Sequence, residues 1–132
     1  MKINRGRESG RPSEHRTDTF TGDVWADSVL ADEGLMVNSV FFAPQARTDW
    51  HRHGVAQVLH VTHGRGLLWS SDEGRGVVLE PGDVAHIPAG ERHWHGGAPD
   101  SYLLHLAISL GPADWLEPVT DDEYQEALDA LA

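Results

Sequence analysis

His51-Arg52-His53-Gly54-Val55-Ala56-Gln57, answered downstream by Pro88-Ala89-Gly90-Glu91-Arg92-His93, is the stretch from which the rest of the chain can be read. In an extended strand successive side chains alternate between faces, so His51 and His53 point the same way, about 7 Å apart along the strand, and can converge on one ion. Gln57 joins them if the extended phase persists across Gly54, and the turn ahead of His93 can return the chain to place a fourth donor opposite the first three. Three neutral imidazoles and an amide oxygen would leave a divalent ion with its full charge and open positions, which makes such a site a Lewis acid. A lone histidine is more often a surface or core residue bonded to the backbone. Eight of the nine histidines, however, lie between His51 and His105, and that clustering asks for a cause.

Outward from this segment, short apolar or alternating stretches are punctuated by Gly, Pro and Asp at close intervals, the pattern of an all-β sandwich or barrel. Strands are predicted near Val24 to Leu30, Leu35 to Ala43, Thr48 to His53, Gln57 to Thr62, Gly66 to Ser70, Val77 to Glu80, Val84 to Ile87, His93 to Gly96 and Tyr102 to Ser109. Pro81-Gly82-Asp83 and Pro88-Ala89-Gly90-Glu91 bracket one short strand and imply a meander. Only the tail reads as helix: Thr120-Asp121-Asp122-Glu123 has capping-box spacing, and Tyr124, Leu128 and Leu131 recur at helical intervals. The expected organisation is a flexible polar arm over residues 1–19 and a single domain over residues 20–132, its terminal helix starting near residue 120.

Composition narrows the chemistry. A chain of 132 residues is large enough for one core and too short for two. The absence of cysteine excludes disulfide staples, thiolate metal sites and a thiol nucleophile, leaving His, carboxylates and amides as ligands. A formal charge of -11 repels phosphate backbones, so no nucleic-acid partner is expected; Glu8, Glu14 and Asp18 dilute the basic character of the Arg-containing start. No apolar run approaches the roughly 18 residues needed to span a bilayer, and Met1 to Thr19 lacks an apolar signal-peptide stretch, so no membrane association and a cytoplasmic location are expected. Trp50, Trp94 and Trp115 read as packing anchors.

The residues that carry the metal argument also carry a family resemblance. His51-x-His53, three residues, Gln57, six residues, Gly64 resembles the first cupin motif, and Gly82, five residues, Pro88-x-Gly90, two residues, His93, three residues, Gly97 resembles the second. The resemblance implies a jelly-roll β-barrel of cupin type with a short C-terminal helix. Gln57 stands where most cupins carry a glutamate ligand and Gly97 where many carry asparagine. More narrowly, Phe20-Thr21-Gly22, Ala46-Arg47-Thr48, Pro81-Gly82-Asp83-Val84, Pro88 to Gly96, His105 to Ile108 and Asp114 to Asp121 are similar to the short bacterial cupins that include the manganese-dependent hydroxynitrile lyases, whose amide ligand is also glutamine.

On the last predicted strand Leu103, His105, Ala107 and Ser109 share one face, which is assigned to the cavity because it is the more polar. The opposite face, Leu104, Leu106 and Ile108, needs a second sheet or another subunit, and a homodimer is expected. By the lyase resemblance, one divalent ion, manganese ahead of iron, nickel or zinc, is held by His51, His53, Gln57 and His93, and His105 moves a proton. The same resemblance lines the substrate cavity with Asn38, Val40, Thr48 and Ser109; Asn38 and Ser109 depart from the lyase pattern. His95, in phase with His93, is a second-layer or structural residue; His60, His63 and His86 are structural or exposed. The implied function is lyase chemistry of hydroxynitrile type on a small molecule, with a metal-dependent dioxygenase and a non-catalytic ligand-binding or biosynthetic accessory barrel as alternatives.

Overall fold

The computed structural model describes residues 1–132. Thirteen strands precede one helix: β1 Glu14–Arg16, β2 Phe20–Thr21, β3 Val24–Asp32, β4 Leu35–Phe42, β5 Arg47–Thr48, β6 His51–His53, β7 Gln57–Gly64, β8 Gly66–Ser70, β9 Arg75–Leu79, β10 Val84–Ile87, β11 His93–Gly97, β12 Leu103–Ser109, β13 Ala113–Trp115 and α1 Asp121–Leu131. They form two antiparallel sheets. One has the order β1-β3-β4-β12-β7-β10; the other runs β13-β6-β11-β5-β2, with β8 also paired to β11 and β9 to β8. No helix is long and apolar enough to cross a membrane.

Alternation places the core. On β7, Gln57, Leu59 and Val61 are buried while Val58, His60 and Thr62 between them are half-buried, and β12 alternates likewise with Leu103, His105 and Ala107 inward. Leu59, Val61 and Leu103 meet Val24, Val40 and Phe42 from β3 and β4 in the main apolar cluster between the sheets. Full burial of each such side chain is worth about 1.5–3 kcal/mol. A bulge between Leu104 and His105 shifts the β12–β7 register, so the partner of Leu104 is His63 while that of His105 is Val61.

A second cluster, Trp50, Leu67, Trp94, Val119, Tyr124 and Ala127, lies where α1 covers the other sheet. Thr120 caps α1: its hydroxyl accepts from the Glu123 amide at 3.1 Å, while the Glu123 carboxylate accepts from the Thr120 amide at 2.9 Å and from Trp50 Nε1 at 3.1 Å. Arg47, only 4% exposed, donates through Nε (3.1 Å) and Nη2 (2.9 Å) to the Val119 carbonyl and through Nη2 to Asp121 (2.7 Å), its guanidinium 5.0 Å over the Tyr124 ring. The Tyr124 hydroxyl donates to the Gly97 carbonyl at 2.7 Å. Gly97, where many cupins carry asparagine, has no room for a side chain: a β-carbon there would come within 2.6 Å of the Ala43 carbonyl oxygen.

Three expectations change. Residues 14–16 are strand, not arm, with Glu14, His15 and Arg16 registered against Ala26, Trp25 and Val24, and the Glu8 amide donates to the Ser28 carbonyl at 2.8 Å. The free edge of β3 offers unpaired backbone groups, and the leading segment satisfies them. The single strand expected over Thr48 to His53 is split into β5 and β6, because the Asp49 amide bonds to Thr19 and the Trp50 amide to Glu117 instead of to a common ladder. Trp50 and Trp94 are buried, 4% and 0% exposed, but Trp115 is 39% exposed on β13 and is no interior anchor.

Candidate metal centre

β6 pairs with β11 in a register that sets His51 directly opposite His93, and β13 flanks the other side of β6. Alternation on β6 then brings His53 to the same face as His51. Ring centroids lie 4.2 Å apart for His51 and His93, 5.2 Å for His51 and His53, and 5.7 Å for His53 and His93. One potential ligand atom from each of the three rings lies within 4.8 Å of the others. Gln57, from the facing sheet, is 5% exposed.

Backbone carbonyls fix which nitrogens are free. His51 Nδ1 bonds to the Asp49 carbonyl at 2.9 Å and His93 Nδ1 to the Glu91 carbonyl at 2.8 Å, each two residues back in the connection ahead of its strand, so both rings hold their proton on Nδ1 and leave Nε2 as a lone-pair donor. Gln57 Nε2 donates to Ser109 Oγ at 3.1 Å, which turns Oε1 away as the free acceptor. His93 Nε2, both nitrogens of His53 and Gln57 Oε1 are buried without any hydrogen-bond partner. Orphaned buried polar atoms cost about 1–3 kcal/mol apiece unless something satisfies them, and a divalent cation would take one lone pair from each of these side chains at once. The residues present fit such an ion.

Burial pushes the His51 pKa well below its ordinary value, with added repulsion from His93; burial also lowers His53 and takes His93 to about 4. These rings are neutral at pH 7, the form that ligates.

Above His51, His53 and Gln57 opens a cavity of about 280 Å³, with His93 packed behind it against His51 at 4.2 Å between ring centroids. The structure brings Asn38, Val40, Thr48, His105 and Ser109 together in its lining, with His51, His53 and Gln57. Ser109 therefore serves the Gln57 amide as well as the wall. Thr48 Oγ1 accepts from the His95 amide at 3.2 Å, so its hydroxyl is tied to β11. His105 is wholly buried; burial lowers its pKa to about 4, and its Nε2 is 3.1 Å from His95 Nδ1 in a shared hydrogen bond. Phe42 packs against both rings, at 5.3 Å from His105 and 5.7 Å from His95. His95 thus lies in the cavity wall, in contact with the candidate proton carrier, and its strand phase with His93 was the signal for it. Phe20, Met36, Trp115 and Arg16 also line the cavity, a place the sequence reading gave to none of them, and Trp115 lies 4.6 Å from His51 between ring centroids. His60 and His63 are remote from this wall; His86 lines a smaller cavity of about 120 Å³ that also touches His93.

Residues 38–108, which include the histidine centre, match the family described as the cupin domain. The chain is a cupin. It is 46% identical over 116 residues, 82% of this cupin and 87% of the relative, to an (R)-mandelonitrile lyase of Granulicella tundricola. It is 31% identical over 77 residues to an acireductone dioxygenase of Pseudomonas paraeruginosa, spanning only 42% of that protein. Among solved structures, a cupin-like protein of Thermotoga maritima superposes with a TM-score of 0.83 at 40% identity, covering 91% of this cupin and 96% of that chain. A polyketide cyclase of Streptomyces resistomycificus shares the fold at a TM-score of 0.74 and 20% identity, over 99% and 100% of the two chains.

Proposed function

We propose that this cupin is a metal-dependent lyase of hydroxynitrile type. The observation that carries the reading is the join of two sites: a cluster of three imidazoles and an amide, of which His51, His53 and Gln57 face a small cavity, and a buried, uncharged His105 in the wall of that same cavity. The likeness to an (R)-mandelonitrile lyase across most of both chains supports it. His51, His53, Gln57 and His93 would hold the ion, manganese in our reading, and when bound it would supply Lewis-acid polarisation of a substrate oxygen.

The chain's own groups do the rest. A neutral imidazole can accept the hydroxyl proton of a cyanohydrin as its carbon-carbon bond breaks; cyanide leaves with that electron pair and takes the proton, giving an aldehyde and hydrogen cyanide. His105, bonded to His95, is placed to hold that proton. Thr48, Asn38 and Val40 shape the chamber around it, and Phe42 excludes water from the two rings. The test is aldehyde release from mandelonitrile by the manganese-loaded protein. No release under conditions where the metal is bound would defeat the lyase reading. Gln57→Glu should keep the metal and slow release, because an added negative charge lowers the ion's Lewis acidity and a carboxylate cannot donate to Ser109.

The likeness to acireductone dioxygenases keeps a second reading in play, in which iron and oxygen replace the Lewis-acid role; oxygen uptake with an enol substrate would favour it over the first. Metal binding without turnover on either would point to a ligand-binding barrel. We also propose a homodimer. Leu104, Leu106 and Ile108 sit half-buried on the outward face of the six-stranded sheet, while α1 packs on the other sheet. Light scattering at micromolar concentration checks it, and a monomer would remove the dimer.

A further inference from the structure

The cavity is electrostatically at odds with the protein that encloses it. The chain carries 21 Asp and Glu residues and a formal charge of -11, yet none of those carboxylates lines the cavity. Its single Lys or Arg is Arg16. The other ionisable side chains of the lining are histidines. Between the histidine floor and Arg16 the wall is largely apolar, with Phe20, Phe42, Met36 and Trp115.

We infer that the cavity takes an anionic substrate, a small aromatic or short-chain molecule with a carboxylate at the end remote from the histidines, and that Arg16 recognises that carboxylate. The inference rests on the reading above only in placing the reacting oxygen at the histidine floor. Arg16 belongs to β1, where its register against Val24 holds its backbone, and its side chain lines the cavity. Its side chain is 40% exposed and paired to Glu14 at 3.2 Å; Glu14 is itself 49% exposed and also lies 3.6 Å from Arg11. An exposed pair of this kind is worth about 0–1 kcal/mol, so a ligand carboxylate can displace Glu14 at little cost. A guanidinium offers two parallel N–H donors to a carboxylate, which orients a rod-shaped ligand as well as attracting it. The absence of any carboxylate in the lining removes the repulsion that would otherwise oppose entry.

The test compares 4-carboxybenzaldehyde with its methyl ester, titrated calorimetrically into manganese-loaded protein, in the parent, Arg16→Gln and Arg16→Lys. The acid should bind the parent about tenfold more tightly than the ester, with the ratio falling as salt is raised. Arg16→Gln should bring the ratio close to one, and Arg16→Lys should keep part of it. Equal binding of acid and ester to the parent, no binding of either, or an acid preference that survives Arg16→Gln overturns the inference; the last result would place the carboxylate on the metal instead. Because binding is read without turnover, the two readings separate. An Arg16-dependent preference with no cleavage of the corresponding cyanohydrins leaves anion recognition standing and removes the lyase.

Discussion

The floor of the cavity and its rim are built by opposite means. The floor is made of side chains between 0% and 5% exposed, His51, His53, Gln57, His95 and His105, backed by His93, each on a strand locked between neighbours and most with one polar atom pinned by a backbone carbonyl or a second side chain. The rim comes from the short strands β1, β2 and β13, and its Arg16 and Trp115 are half in solvent. A buried floor would hold an ion and the proposed proton carrier in fixed relation, while an exposed rim would let ligand preference vary apart from them.

The largest effect expected from breaking this contrast is at the floor. His51→Ala removes one of four protein donors, and elemental analysis should find the metal lost altogether; a variant retaining about one ion per chain would show that the four do not act as a unit. Next comes the proton carrier. His105→Ala should keep the metal while lowering turnover by about 100-fold or more, and metal loss in that variant would reassign His105 as a ligand.

A third effect follows from burial. His93 and His105 have folded pKa values of about 4 against an ordinary 6.5, so the unfolded chain binds more protons between those limits. What these two groups contribute to the stability of the metal-free protein should therefore be flat above pH 6.5, fall as pH drops, and level near pH 4; at pH 5 each costs about 2 kcal/mol. Urea midpoints at pH 7.5 and pH 5 measure it, and equal midpoints would mean the rings are not desolvated in the metal-free state. The smallest effect belongs to the rim. Trp115→Ala should change KM for an aromatic substrate by less than about tenfold and leave metal content unchanged. A loss of metal there would merge rim and floor, since the indole stands 4.6 Å from His51.

That same division explains what could be read from the chain. The floor was legible because a period of two on β6, the Pro88-Ala89-Gly90 turn and the polar face of β12 each announce themselves in a few consecutive residues. The capping box did the same for α1, which starts at Asp121 behind Thr120. The rim was not legible. β1, β2 and β13 are two or three residues long, too short to carry an alternation, and they are ordered by the edges they complete. Nothing adjacent to Arg16 announces a cavity, and Trp115 reads as a core anchor until its strand is known to run beside His51. Arg47 is a similar case: a charge in sequence, but a buried strut once Val119 and Asp121 arrive from 72 and 74 residues away.

The two-residue strand β5 has a consequence for anyone who edits the end of this protein. Arg47 turns outward to the cap of α1 and Thr48 turns inward to the cavity, on adjacent residues of one short rung. Shortening the C-terminal helix or crowding it with a fused partner is therefore an intervention in the cavity, delivered from the far side of its wall.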